Sequence, residues 1–238
     1  MKKIGIAIMA LCISTLSFAE NNLYYNILEF QESVSINVPN DTMHITLNME
    51  TQHKNRQTAS QITTQKLNQV YEKLKKNKKF TVELGNRSVY PQYDDKQKNI
   101  ISWRDSVSLH VNSKEFEDLS NLISDVSAQA TLERVWFSLS TDKRNQAVDK
   151  ASEQVLDTLR QRADFLSRKL GFSSYQLVKV NMNSHFSGGN MYANDVAEMY
   201  AVRQSAPVAA AAPRMKVSSD MSGEQSISQT ANVIVQMK

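Results

Sequence analysis

The side chains able to do chemistry in this 238-residue chain are few, and their spacing limits what they can do. Its histidines, His44, His53, His110 and His185, include no pair four residues apart on a helical stretch, and the one cysteine, Cys12, lies in the N-terminal apolar run. Protein zinc sites use such pairs or clustered thiolates, so no zinc centre is expected. Strand alternation puts His44 and His110 on outward faces. Asp94-Asp95, with Asp105 further on, offers carboxylates that do acid–base work when burial splits their pKa values. Here Lys96, Gln97, Lys98 and Asn99 follow, which predicts a solvated loop. No G-x-S-x-G marks a nucleophilic serine, and Ser187-Gly188-Gly189 lacks the lysine and following helix of a phosphate-binding loop. No catalytic residue and no cofactor is assigned, and the expectation is a non-enzymatic protein.

The methionines offer a different chemistry. Met182, Met191, Met199, Met215 and Met221 stand in or beside a stretch without apolar periodicity. Thioethers suit Cu(I) where thiols are lacking, and they take up oxidant reversibly as sulfoxides. They also fill gaps where a segment docks on a neighbour. The alternative function is thus a binding module in which Met191, Met199, Met215 and Met221 take Cu(I) or line an apolar ligand site. Their wide spacings differ from the tight Met-x-x-Met clusters of copper carriers.

The chain's totals set the compartment. Lys2-Lys3, the short apolar run Ile4 to Leu16, and Ser17-Phe18-Ala19 before Glu20 have the layout of a cleaved signal peptide over residues 1–19. The run is too short to span a bilayer. Residues 20–238 then form one exported, periplasmic domain without disulfides, possible outer-membrane association included. The formal charge of +4 is halved once Lys2 and Lys3 leave, so there is no electrostatic footprint for nucleic acid.

The positioning elements follow from periodicity. Thr141 to Gly171 is the strongest signal: Val148, Ala151, Val155, Leu159, Ala163, Leu166 and Leu170 recur at helical spacing, Ser140 to Asp142 supply capping oxygens, and Gly171 suits a left-handed stop. Ile27 to Val38 alternates as a strand. Pro39-Asn40-Asp41 is turn chemistry, and Met43, Ile45, Leu47 and Met49 alternate next, which predicts an antiparallel hairpin. A helix from Thr58 to Lys75 ends in a lysine run, Lys75 to Lys79, favourably placed at a helix C-terminus. Strands follow at Phe80 to Tyr90 and Ile100 to Val111, the latter with a slip near Asp105 read as a bulge. Asn112 to Glu115 has the form of a capping box before the stripe Phe116, Leu119, Leu122, Ile123 and Val126. Strands at Leu132 to Ser140, Tyr175 to Met182 and Ser226 to Lys238 complete the set. Residues 184–226 read as a flexible Ala/Pro/Met-bearing arm; Tyr192 and Tyr200 on it, with Tyr24 and Tyr25, suit contacts with a partner subunit. Met43 to Ser140 therefore runs β-α-β-β-α-β. The expected fold is α+β: an antiparallel sheet with a ferredoxin-like centre, extended by the first strand, one long helix and a C-terminal strand that closes the sheet.

This order of residues resembles the SIMPL-domain family of bacterial exported proteins. The resemblance rests on Pro39 with Asp41, Pro91 with Tyr93, Val135-Trp136-Phe137-Ser138, a long helix carrying Ala147, Ala151, Ala163 and Gly171, and Gly223-Glu224 before the last strand. Asn40, between Pro39 and Asp41, departs from the pattern. The resemblance implies an envelope protein, a link to oxidative-stress tolerance, and assembly into homo-oligomers. It implies no catalytic residues.

Overall fold

The structure, a computed structural model, describes residues 25–187, 191–192 and 222–238. In chain order the elements are β1 (Ile27–Pro39), β2 (Thr42–His53), α1 (Arg56–Leu74), β3 (Thr81–Tyr93), β4 (Ile100–Ser113), α2 (Phe116–Val126), β5 (Thr131–Ser138), α3 (Thr141–Lys169), β6 (Tyr175–Ser187), β7 (Met191–Tyr192) and β8 (Glu224–Met237). The fold is α+β, and the β2-to-β5 segment is the split βαβ arrangement read from the sequence. Its strands lie in the order β3-β4-β2-β5, with β7 added beside β5, and every pairing is antiparallel.

The alternating residues of β2 explain this half. Met43, Ile45, Leu47 and Met49 are fully buried and meet Val107, Leu109 and Val111 of β4 and Val135 and Phe137 of β5 in one core. The covering stripe of α2 is the expected set, Phe116, Leu119, Leu122, Ile123 and Val126, all buried. Helix α1 adds Ala59, Val70 and Leu74, and also Thr63, whose Oγ1 donates to the Asp105 carbonyl at 3.3 Å.

The other half departs from expectation. β1 and β2 form no hairpin, and the sheet is not single. β1 pairs with β8, from Ile27↔Gln236 to Pro39↔Glu224, in a separate three-stranded sheet ordered β1-β8-β6. The final strand is the centre of that sheet rather than the closure of the first. Pro39-Asn40-Asp41 carries the chain from one sheet to the other: Asn40 N donates to Gly223 O on one side, and Asp41 N donates to Ser138 O on the other.

Helix α3 covers this second sheet. Ala147, Ala151, Val155, Leu159, Ala163 and Ser167 are its buried positions, every one four residues from the last. Val155 and Leu159 pack with Val233, Val235 and Met237. The alanines let the helix lie close to the strands. Leu170, expected on the stripe, is 56% exposed because it is the C-cap residue, past the last buried turn. Gly171 has φ +85°, and Phe172 N donates to Ser167 O while Gly171 N donates to Arg168 O. That is a Schellman stop, for which a residue without Cβ is the low-strain choice.

Three smaller expectations are corrected. Ser113 does not close a capping box: Glu115 is the N-cap with no side-chain bond, and Ser113 Oγ instead accepts from Glu115 N at 3.0 Å. The slip near Asp105 belongs to β3, where the pairing shifts between Leu84 and Arg87, so the extra residue sits at Gly85-Asn86. Residues 184–187 continue β6 and 224–226 begin β8, which shortens the arm at both ends. Its remaining residues, apart from β7 and Ser222-Gly223, lie outside the described ones, as does the expected signal peptide.

Candidate functional site at the junction of the two sheets

Of the residues that carried the resemblance, Pro39, Asp41, Ser138 and Gly223 converge where the chain passes between the sheets. Asn40 is 2% exposed. Its Nδ2 donates to Ser222 O at 2.7 Å, and Ser222 Oγ donates back to Asn40 O at 3.0 Å. Gly223, at φ +67°, turns the chain from this clasp into β8. Asp41 accepts from both Ser140 N and Ser140 Oγ at 2.6 Å, and Lys114 stands 3.6 Å from it. Ser140 is in turn the N-cap of α3, accepting from Lys143 N, while Lys143 Nζ donates to Pro39 O at 2.9 Å. Asn40, the departure from the family pattern, is thus a clasp between β1 and the start of β8.

Two clefts flank this junction. One, of about 800 Å³, is lined by Pro39, Asn40, Asp41, Lys114, Phe116 and Lys143, among others. The second, of about 560 Å³, includes His44, Lys79, Ser138 and Ser140. In it His44 Nε2 and Ser138 Oγ are 2.7 Å apart, the spacing of a base and a nucleophile. The imidazole lies flat on Trp136 at 4.9 Å between centroids. Burial pushes its pKa below 6.5, with the charge of Glu83 acting the other way. The lysines here are occupied with carboxylates of the chain: Lys79 pairs with Glu115 at 2.9 Å and Lys114 with Asp41. The junction holds elements together with its polar groups.

The remaining candidates separate in space. His110 faces outward on β4 and meets Thr46 Oγ1 at 3.2 Å, and His53 bonds Asn55 beside the start of α1. Asp94 closes its own loop: its carboxylate accepts from Lys98 N and Asn99 Nδ2, and its pKa is lowered by those bonds. In the lysine run, Lys75 pairs with Glu72. Met191 is in β7 opposite Phe137, whereas Met199, Met215 and Met221 lie outside the described residues. Among the described residues no group of three His, Cys, Asp or Glu side chains could hold a metal ion, and no helix is long and apolar enough to cross a membrane.

Sequence reasoning missed one internal site. Asp105 has no solvent exposure on its side chain and receives Arg87 through Nε at 3.1 Å and Nη2 at 2.8 Å. Arg87 Nη2 also donates to Ser60 O and Thr64 Oγ1. Burial pushes the Asp105 carboxyl up, but hydrogen bonds and charge from Arg87 outweigh it and hold it below the usual range. The signal was present: Asp105 is in phase with Val107, Leu109 and Val111, and an acid on an apolar stripe requires a cation from elsewhere.

The architecture is an antiparallel split-βαβ sheet clasped to a smaller sheet under one long helix, and comparison places it. Residues 28–235 match the family model described as SIMPL, protein of unknown function (DUF541). The chain belongs to the SIMPL family. A search of curated proteins found no match.

Two stability effects follow. Asp41→Ala removes both bonds to Ser140 and frees the start of α3, with an expected loss of about 1–2 kcal/mol in urea unfolding; an unchanged midpoint would contradict the clasp. The pH response has a defined sign. Asp41, where burial raises the pKa but the Ser140 bonds and Lys114 outweigh it, and Asp105 both titrate lower folded than unfolded. Their stabilisation is complete above the unfolded carboxylate value of 3.8 and is lost as pH falls through their folded values. His44, also lowered, starts a shallower loss below 6.5, because the unfolded chain takes its proton first. The thermal midpoint should be flat above roughly neutral pH and fall steeply below roughly pH 4; a midpoint that rises on acidification would contradict both pairings.

Proposed function

We propose that this protein is a non-enzymatic, exported envelope protein that works by self-association and supports tolerance of oxidative or envelope stress. Support for export comes from the composition of residues 1–19, which have the layout of a cleaved signal peptide leading to the periplasm. Support for association comes from one structural observation. Large apolar side chains are exposed on a strand that keeps an open edge: Leu177, Val178 and Phe186 at 48%, 55% and 50% on β6. Such edges favour pairing with another chain. The stress role rests on the family resemblance.

A peroxide challenge tests the physiological part. Cells lacking the protein should survive less well than the parent, and the intact chain should restore survival. Equal survival would remove the stress role.

A further inference from the structure

Among the described strands, β6 leaves the most apolar surface beside a free edge. It lies at the margin of the three-stranded sheet and, among the described residues, is hydrogen-bonded on one side only, to β8. Leu177, Met182 and Phe186 pair with Val235, Ala231 and Ile227, so they share the face that α3 covers. Their partners are fully buried, yet they remain 48%, 37% and 50% exposed. Helix α3 lies mainly over β8 and β1 and reaches β6 at Tyr175 and Val180, which pack against the Val155–Leu159 cluster; over the Phe186 ring, Arg144 at 5.7 Å from its centroid is a cationic edge rather than a lid.

The edges of β1 and β3 are protected. On β1, Phe30, Val34, Ile36 and Val38 are half-buried toward α3, and the opposite face is Glu29, Gln31, Ser33, Ser35 and Asn37. β3 is interrupted by its bulge at Gly85-Asn86 and by Pro91, two devices that discourage edge pairing. β6 spans 13 residues with a single irregularity, at Val178, and one formal charge, Lys179.

We infer that β6 pairs antiparallel with β6 of a second copy of this chain, merging two three-stranded sheets into one of six strands. The inference rests on the self-association reading and names its surface. β6 is self-complementary in this arrangement. With Asn181 on the two-fold axis, Lys179 faces Asn183 and Val180 faces Met182, so like charges do not meet. The axis is perpendicular to the sheet, which leaves both copies of α3 on the same side. The exposed Leu177, Met182 and Phe186 of the two strands then come together in the trough between the helices.

Cysteine cross-linking reads this directly. In a Cys12→Ser background the chain has no other cysteine. Lys179→Cys, Asn181→Cys and Asn183→Cys are oxidised in turn, beside Ser33→Cys on β1. A disulfide-linked dimer from one or more β6 positions and none from Ser33→Cys is expected. A second variant, Leu177→Lys with Phe186→Lys, should fall to single-chain mass in light scattering while its thermal midpoint stays near that of the parent. An oligomer that survives this double substitution, with no β6 cross-link or with cross-links from Ser33→Cys, overturns the β6 interface and leaves self-association standing. A single-chain mass for the unsubstituted protein overturns both.

Discussion

Arg87→Ala should lower the stability of the protein by about 3 kcal/mol, a drop of roughly 6–12 °C in thermal midpoint for a chain of this size. Arg87 is the only side chain in an ion pair with Asp105 among the described residues, and the carboxylate it satisfies has no solvent exposure. Removing the cation leaves a charge in the core with nothing to replace its two bonds. The figure is at the low end for a buried pair because the Arg87 side chain is itself 36% exposed. The control is Arg87→Met with Asp105→Leu, which removes both charges together. That variant should recover most of the loss, since the cost lies in the stranded carboxylate rather than in the missing pair. Equal losses in the single and double variants would show that Arg87 acts by packing alone.

Leu159→Asp should cost several kcal/mol, and it should do so in one half of the molecule first. Leu159 is 3% exposed and packs with Val155, Ala231, Val233, Val235 and Met237 between α3 and the three-stranded sheet. An aspartate there finds no cation on the strands it faces. The core of the five-stranded sheet is a separate cluster built on Met43, Ile45, Leu47 and Met49. Both tryptophans, Trp103 and Trp136, belong to that larger sheet. Far-ultraviolet circular dichroism should therefore lose signal at a lower denaturant concentration than tryptophan fluorescence does. Coincident, unshifted transitions would contradict the placement of Leu159 under α3.

These two sites also mark what a single sequence can and cannot carry. Helix faces were legible because packing acts at the fixed spacing of a turn: the α2 stripe of Phe116, Leu119, Leu122, Ile123 and Val126 is buried residue for residue. The βαββαβ order was legible for the same reason, since each element announces its own period. The partner of β1 was not. Alternation says that Val34, Ile36 and Val38 share a face, yet Ile36 pairs with Ile227, far along the chain, and no local pattern records that choice. The short Pro39-Asn40-Asp41 turn favoured the nearer strand. What decided otherwise was Asn40, bonded at its backbone to Gly223 and at its side chain to Ser222. The Arg87–Asp105 pair was half-legible: Asp105 stood in phase with the core, but the bulge that turns Arg87 inward is set by pairing across strands.

The solution mass of the protein, measured by light scattering across a range of concentrations, tests the central claim most directly. If the protein works by association, the mass will be a defined multiple of the single chain. A single-chain mass at every concentration would contradict that account and return the open edge of β6 to the status of solvated surface.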